Sequence, residues 1–199
     1  MRLRMMAACC VMSACSMMMT MQAQMGATAP RPAVGTAADP AKEIDGMLSL
    51  FEEECMGVAK AMPAEKYGFA PNAATFAAGQ GAQFATVRTF AAQVQHLTLA
   101  NYYFYGLVSG VKADVDMKAI GAMTNKADLV AALAASFAFA HQAIATITPA
   151  NAFLVIKGAD GMNTRATLAT FGVAHGFDHY GQMVEYLRMN GIVPPASAK

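Results

Sequence analysis

Apolar residues recur at steps of three and four in four separate stretches of the chain, and most of these stretches are bracketed by residues that start or stop a helix. In the first, Ile44, Met47, Leu48, Phe51, Cys55, Val58 and Met62 fall on one face of a 3.6-residue spiral. Asp39 followed by Pro40 reads as an N-cap with proline at the first helical position, and Pro63 stops the run. The second stretch is predicted from about Ala82 to Val108, with Phe84, Val87, Phe90, Val94, Leu97 and Tyr105 on its buried side. The third begins near Asn125 and Lys126 and runs to about Ile147, closed by Pro149; its alanines at 131, 132, 134, 135 and 138 favour helix and permit a neighbour to approach closely. The fourth extends from Asn163 and Thr164 to about Asn190, where Gly191 supplies the C-cap and Pro194 and Pro195 forbid continuation.

No run combines strand alternation with turn chemistry, and no segment repeats. The pattern therefore predicts an all-α chain, an antiparallel four-helix bundle over residues 40–195 with 196–199 as a tail. The connections are long. Residues 63–81 include Glu65, Lys66, Tyr67, Phe69 and Pro71, and a connection of this length is expected to be functional or packed over something. The longer connections leave room for a crossover or short extra helices.

The first thirty residues do not belong to this pattern. Arg2 and Arg4 precede an uncharged run from Met5 to about Met21, and small residues follow at Ala23, Gly26 and Ala27. This is the order of a secretory signal peptide, assigned to residues 1–27 with cleavage after Ala23 or Ala27, followed by a proline-bearing linker over 28–39. The domain is accordingly expected to be exported, periplasmic or secreted. Met12-Ser13-Ala14-Cys15 offers a rival, a lipoprotein processing site with Cys15 carrying the lipid, and only then a membrane attachment.

Composition takes its meaning from that division. Nine of the 17 methionines lie in the first 25 residues. Removing Arg2 and Arg4 from the 14 basic residues leaves 12 against 13 acidic ones. A nearly neutral chain without a basic patch is not a nucleic-acid binder. Cys55 is the single cysteine beyond the leader, which excludes an internal disulfide and a cysteine zinc site. Glu52, Glu53 and Glu54 beside it disfavour a thiolate, so Cys55 reads as a packing residue.

The candidate chemistry lies in four histidines, His96, His141, His175 and His179. His175 and His179 are four apart, which sets both rings on one helix face one turn from each other, within reach of one metal ion. They lie on or beside the stripe of Leu168, Phe171, Met183 and Tyr186. A core histidine with a hydrogen-bond partner is the plain alternative for either one, but two buried imidazoles without a metal both need other partners. His96 is the natural third ligand from a second helix, leaving a coordination position open. His141, in the alanine-rich stretch, is expected to be solvent-facing or hydrogen-bonded. Asp178 is the candidate catalytic or ligand-orienting residue, with Gln182 a second orienting group. Glu185 and the loop at Glu65 are further candidate bases.

The segment His175-Gly176-Phe177-Asp178-His179-Tyr180-Gly181-Gln182-Met183, with Glu185-Tyr186-Leu187-Arg188 and Gly191-Ile192-Val193-Pro194-Pro195, resembles the closing motif of the DinB-like, or YfiT-like, superfamily of four-helix bundles. Thr89 to Tyr103, with His96-Leu97 and Asn101-Tyr102-Tyr103, is similar to the family's first histidine segment. The resemblance covers about residues 40–195. It implies a divalent metal, nickel or zinc, held by His96, His175 and His179, and a homodimer. It also implies a metal-dependent hydrolase or transferase acting on a small-molecule substrate through an activated water or thiol. The exported leader departs from the mostly cytosolic relatives. The other function class is a non-catalytic metal- or ligand-binding helical module, in its lipidated form a scaffold.

Overall fold

The computed structural model describes residues 32–81 and 83–198. The leader and the lipidation alternative at Cys15 lie outside the described residues. Residues 32–37 belong to a unit separate from the rest of the chain and hold one turn, closed by Thr36 N–H to the Ala33 carbonyl at 3.0 Å.

Helix α1 (Pro40–Ala61) opens on its predicted cap, with the Asp39 carboxylate accepting from Ala41 N–H at 3.0 Å. At its other end side chains satisfy the orphan carbonyls. Tyr67 Oη donates to the Ala59 carbonyl at 2.6 Å, and Lys126 Nζ donates to those of Lys60 and Met62 at 2.7 Å each. The connection after Pro63, with short 3-10 turns at Ala64–Lys66 and Ala73–Thr75, is thus packed against the bundle. Tyr67 is buried edge-on against Phe90 at 5.1 Å, and Phe69 meets Tyr186 at 5.6 Å.

Helix α2 (Phe90–Ser109) begins eight residues later than its apolar pattern predicts. Thr89 caps it, accepting from Ala92 N–H at 3.1 Å, and the N–H groups of Phe90 and Ala91 donate to the carbonyls of Phe69 and Tyr67. Phe84 stacks on Phe76 within the loop at 5.3 Å, and Val87 is exposed, so neither belongs to the stripe. Helix α3 (Met117–Gly121) occupies the next connection, capped by Asp116. Helix α4 (Lys126–Ile144) ends three residues short of Ile147. It is long and apolar enough to cross a membrane, but Leu129, Leu133, Phe137 and Ile144 are fully buried within the bundle.

The all-α expectation needs a correction. Strands β1 (Val155–Ala159) and β2 (Met162–Thr164) form an antiparallel hairpin before helix α5 (Arg165–Met189). Its turn is Asp160-Gly161, both at positive φ (50° and 82°), the two-residue geometry whose twist suits a hairpin. β1 uses more residues than β2 between the pairs Val155–Thr164 and Ala159–Met162, so it bulges. A Cβ at Gly158 would lie 1.6 Å from the Met162 carbonyl oxygen.

α1 packs on α4 and α5, and α2 packs on the same two, so the ring order is α1–α4–α2–α5. Across α1/α4, Phe51 meets Phe137 and the end of α1 meets Lys126 at the start of α4, so this pair is antiparallel. Across α2/α5, Gln93 meets Gln182 and Tyr105 meets Ala169, again antiparallel. The other two pairs run parallel. Gln95 bonds Met123 ahead of α4, Asn101 bonds Ser136, and Gly106 abuts Phe139. Likewise Phe51 abuts Gly176, and Gly57 abuts Pro195. The helices therefore run up, down, down, up in chain order, which corrects the simple antiparallel expectation. The physical reason is the connection carrying α3, which returns the chain along the bundle before α4 starts.

Candidate metal centre

α5 is seated by two glycines. A Cβ on Gly172 would stand 3.0 Å from Tyr105 Oη of α2, and one on Gly176 would stand 2.3 Å from the Phe51 ring of α1. With Gly176 under Phe51, its neighbour His175 and the next turn's His179 face α2, where His96 projects toward them. The ring of His96 lies 5.2 Å from that of His175 and 4.4 Å from that of His179, and the α5 pair is 4.6 Å apart. His96 Nε2 and His175 Nε2 are 3.1 Å apart, and one candidate ligand nitrogen from each of the three lies within 4.8 Å of the others.

The donor chemistry fits a divalent ion. Metal–nitrogen bonds of about 2.0–2.1 Å in a tetrahedral site set nitrogens about 3.4 Å apart. The His96–His175 pair is already near that spacing. All three imidazoles are biased toward the neutral, ligating form. Burial lowers the pKa of His96 to about 4, aided by His179, Arg88 and His175. Burial also lowers His175 against the opposing pull of Asp178 and Asp160, and lowers His179 together with the charge of His175. His179 is buried, and its Nδ1 has no hydrogen-bond partner among the described residues. An orphaned buried imidazole nitrogen beside two others is costly unless an outside group satisfies the cluster. His96 and His175 are only half-buried, so the cluster opens to solvent on one side.

The surroundings were only partly foreseen. Phe104 and Phe171 wall His175 at 5.3 and 6.0 Å and each other at 5.4 Å. Gln93 and Gln182 lie one turn from His96 and His179 and join at 2.7 Å. Gln182 Nε2 also donates to Asp178 Oδ2 at 3.3 Å. Asp178 itself is exposed, and its recorded hydrogen bond is to Gln182 rather than to a histidine; it acts on His175 and His179 through its charge. Arg88, exposed just ahead of the α2 cap, bears electrostatically on all three histidines. Gln93 was visible only as a residue three before His96, and Arg88 had no periodicity to mark it. Glu185 turns to Arg188 at 3.9 Å, and Glu65 is exposed in the turn at Ala64–Lys66. Cys55 is fully buried, which pushes its thiol pKa far up and removes it as a nucleophile.

His141 belongs elsewhere. Its Nδ1 lies 2.6 Å from Asp45 and its Nε2 3.0 Å from Glu52, between α4 and α1.

No curated protein matches the chain. The family model of the DinB superfamily matches residues 47–183, a span holding all three clustered histidines and most of the four-helix frame. The chain belongs to the DinB superfamily.

Proposed function

We propose that this protein is an exported metal-dependent hydrolase or transferase, with nickel or zinc held by His96, His175 and His179. The observation that carries the reading is the convergence of three imidazoles, biased toward neutrality, whose ring cluster is buried behind His179 and solvent-open at His96 and His175. When bound, the ion supplies Lewis acidity, which makes a water or thiol at an open position acidic enough to act as a nucleophile near neutral pH.

The chain's own residues do the rest. Phe104 and Phe171 exclude water from the flank of His175 and hold its ring edge-on and tilted, respectively. Gln93 and Gln182 brace α2 against α5 one turn away, which fixes the separation of His96 from His179. Asp178 is a positioning residue in this reading, orienting Gln182, and its exposed carboxylate is a candidate proton acceptor. Arg88 contributes positive charge at the mouth, which favours an anionic or strongly polarised substrate. Export and dimer formation are part of the proposal. They rest on the leader pattern and on the family resemblance.

The full chain, loaded with zinc or nickel, is to be assayed against activated esters, amides and thiol acceptors, before and after chelation. Turnover that vanishes on chelation and returns with metal is the expected result. Stable metal binding without turnover across these classes favours the non-catalytic binding module.

A further inference from the structure

A cavity lies away from the histidines, at the C-terminal end of α2, under the α2–α3 connection and beside the hairpin. It measures about 540 Å³, the size of a pocket for a small organic molecule, and none of the three metal-site histidines lines it. Tyr103, Leu107 and Ile156 form its apolar walls. Its charged lining residues are Lys112, Lys157 and Arg165, three cations brought together from a loop, β1 and the first turn of α5. Among the described residues no carboxylate lines it.

Lys112 and Lys157 are exposed and Arg165 is half-buried. Among the described residues none of them takes part in an ion pair or a side-chain hydrogen bond. Two acids are next in sequence to lining residues: Asp116, beside Met117, is engaged in the α3 cap, and Asp114, beside Ala113, is exposed and outside the lining. Arg165 sits in the first turn of α5, where no acidic residue is present and the helix dipole already disfavours a cation. A negative group joining three like charges beside an apolar hollow would relieve their mutual repulsion. We propose that this cavity binds a small amphiphilic organic anion, its acidic head between Lys112, Lys157 and Arg165 and its apolar body against Tyr103 and Leu107. A sulfonate, carboxylate or phosphate head meets the same charge requirement, and the walls demand an aromatic or aliphatic body. The site is independent of the metal reading.

The test uses the full chain and 1-anilinonaphthalene-8-sulfonate, an aryl anion that fluoresces in apolar surroundings. N-phenyl-1-naphthylamine serves as its uncharged counterpart. The expected result is saturable binding of one sulfonate probe per chain, weakened about tenfold or more in Lys157→Gln/Arg165→Gln, with the neutral probe unaffected by those changes. Lys112→Gln, in a loop outside any helix or strand, should weaken it severalfold, so the test survives a double variant that fails to fold. Thermal unfolding confirms that each variant scored is native. His175→Ala is expected to leave probe binding unchanged, which separates this site from the metal centre. Probe binding that does not saturate, or that is equal in the charge variants and the native chain, overturns the proposal.

Discussion

Between α1 and α4, His141 is held by two carboxylates, Asp45 at 2.6 Å and Glu52 at 3.0 Å, one at each ring nitrogen. Between α2 and α5, His96, His175 and His179 face one another, and among the described residues no carboxylate is hydrogen-bonded to any of them. The same side chain is therefore driven in opposite directions. The hydrogen bonds and charges of Asp45 and Glu52 overcome burial and raise the pKa of His141, and donation from both nitrogens requires the imidazolium. Burial lowers the other three, and the charge of neighbouring histidines adds to it for His96 and His179. His141 is a completed ion-pair clamp that needs nothing further. The α2–α5 cluster lacks such partners among the described residues, and its three histidines could hold a metal ion.

The contrast is broken most severely by removing a donor. His179→Ala should lower zinc or nickel affinity by about a hundredfold or more, measured by competition with a chelator of known affinity, while the His141 clamp is unaffected. Gly176→Ala tests the seat of α5. Its new methyl meets the Phe51 ring, so a loss of about 1–3 kcal/mol is expected in denaturant unfolding, with weaker metal binding because His175 and His179 shift with the helix.

Acid distinguishes the two regions in the metal-free protein. For the α2–α5 cluster the folded pKa values lie below the unfolded value of about 6.5, so the unfolded chain binds more protons as pH falls. Stability contributed by these neutral imidazoles is present above pH 6.5 and is lost as pH drops toward about 4, where His96 protonates in the folded state. A His96→Ala/His175→Ala/His179→Ala variant should show a flatter pH–stability curve over that window. His141 has the opposite sign. Its folded pKa is raised, so its contribution is fully present below about pH 6.5 and is lost as pH rises through the raised value. His141→Gln should cost up to about 1 kcal/mol near pH 6, because the pair is partly solvated, and less at pH 9, with metal content unchanged.

Much of this frame was legible in the sequence for local reasons. Asp39-Pro40, Pro63 and Gly191 punctuate helices whatever the tertiary context, and α1 and α5 begin and end within two residues of their predicted limits. The histidine pair on α5 was visible because a spacing of four needs only one helix. The errors have physical causes too. Phe84 and Val87 carry the right spacing for α2 but lie in a loop, where Phe84 finds Phe76 and the Thr89 cap sets the true start. The hairpin leaves little trace in the apolar pattern because β1 is short and bulged, although Asp160-Gly161 is a strong turn signal. Arg88, Gln93 and the parallel packing of α2 on α4 depend on how distant segments come together, which helical periodicity does not encode.

The most direct test is a calorimetric titration of the metal-stripped full chain with zinc and with nickel, beside the His96→Ala/His175→Ala/His179→Ala variant. The expected result is one tight site per chain in the native sequence and none in the variant, with both proteins folded. A native chain that takes up neither ion, or a variant that binds as tightly as the native chain, would contradict the assignment of these three histidines as the metal centre.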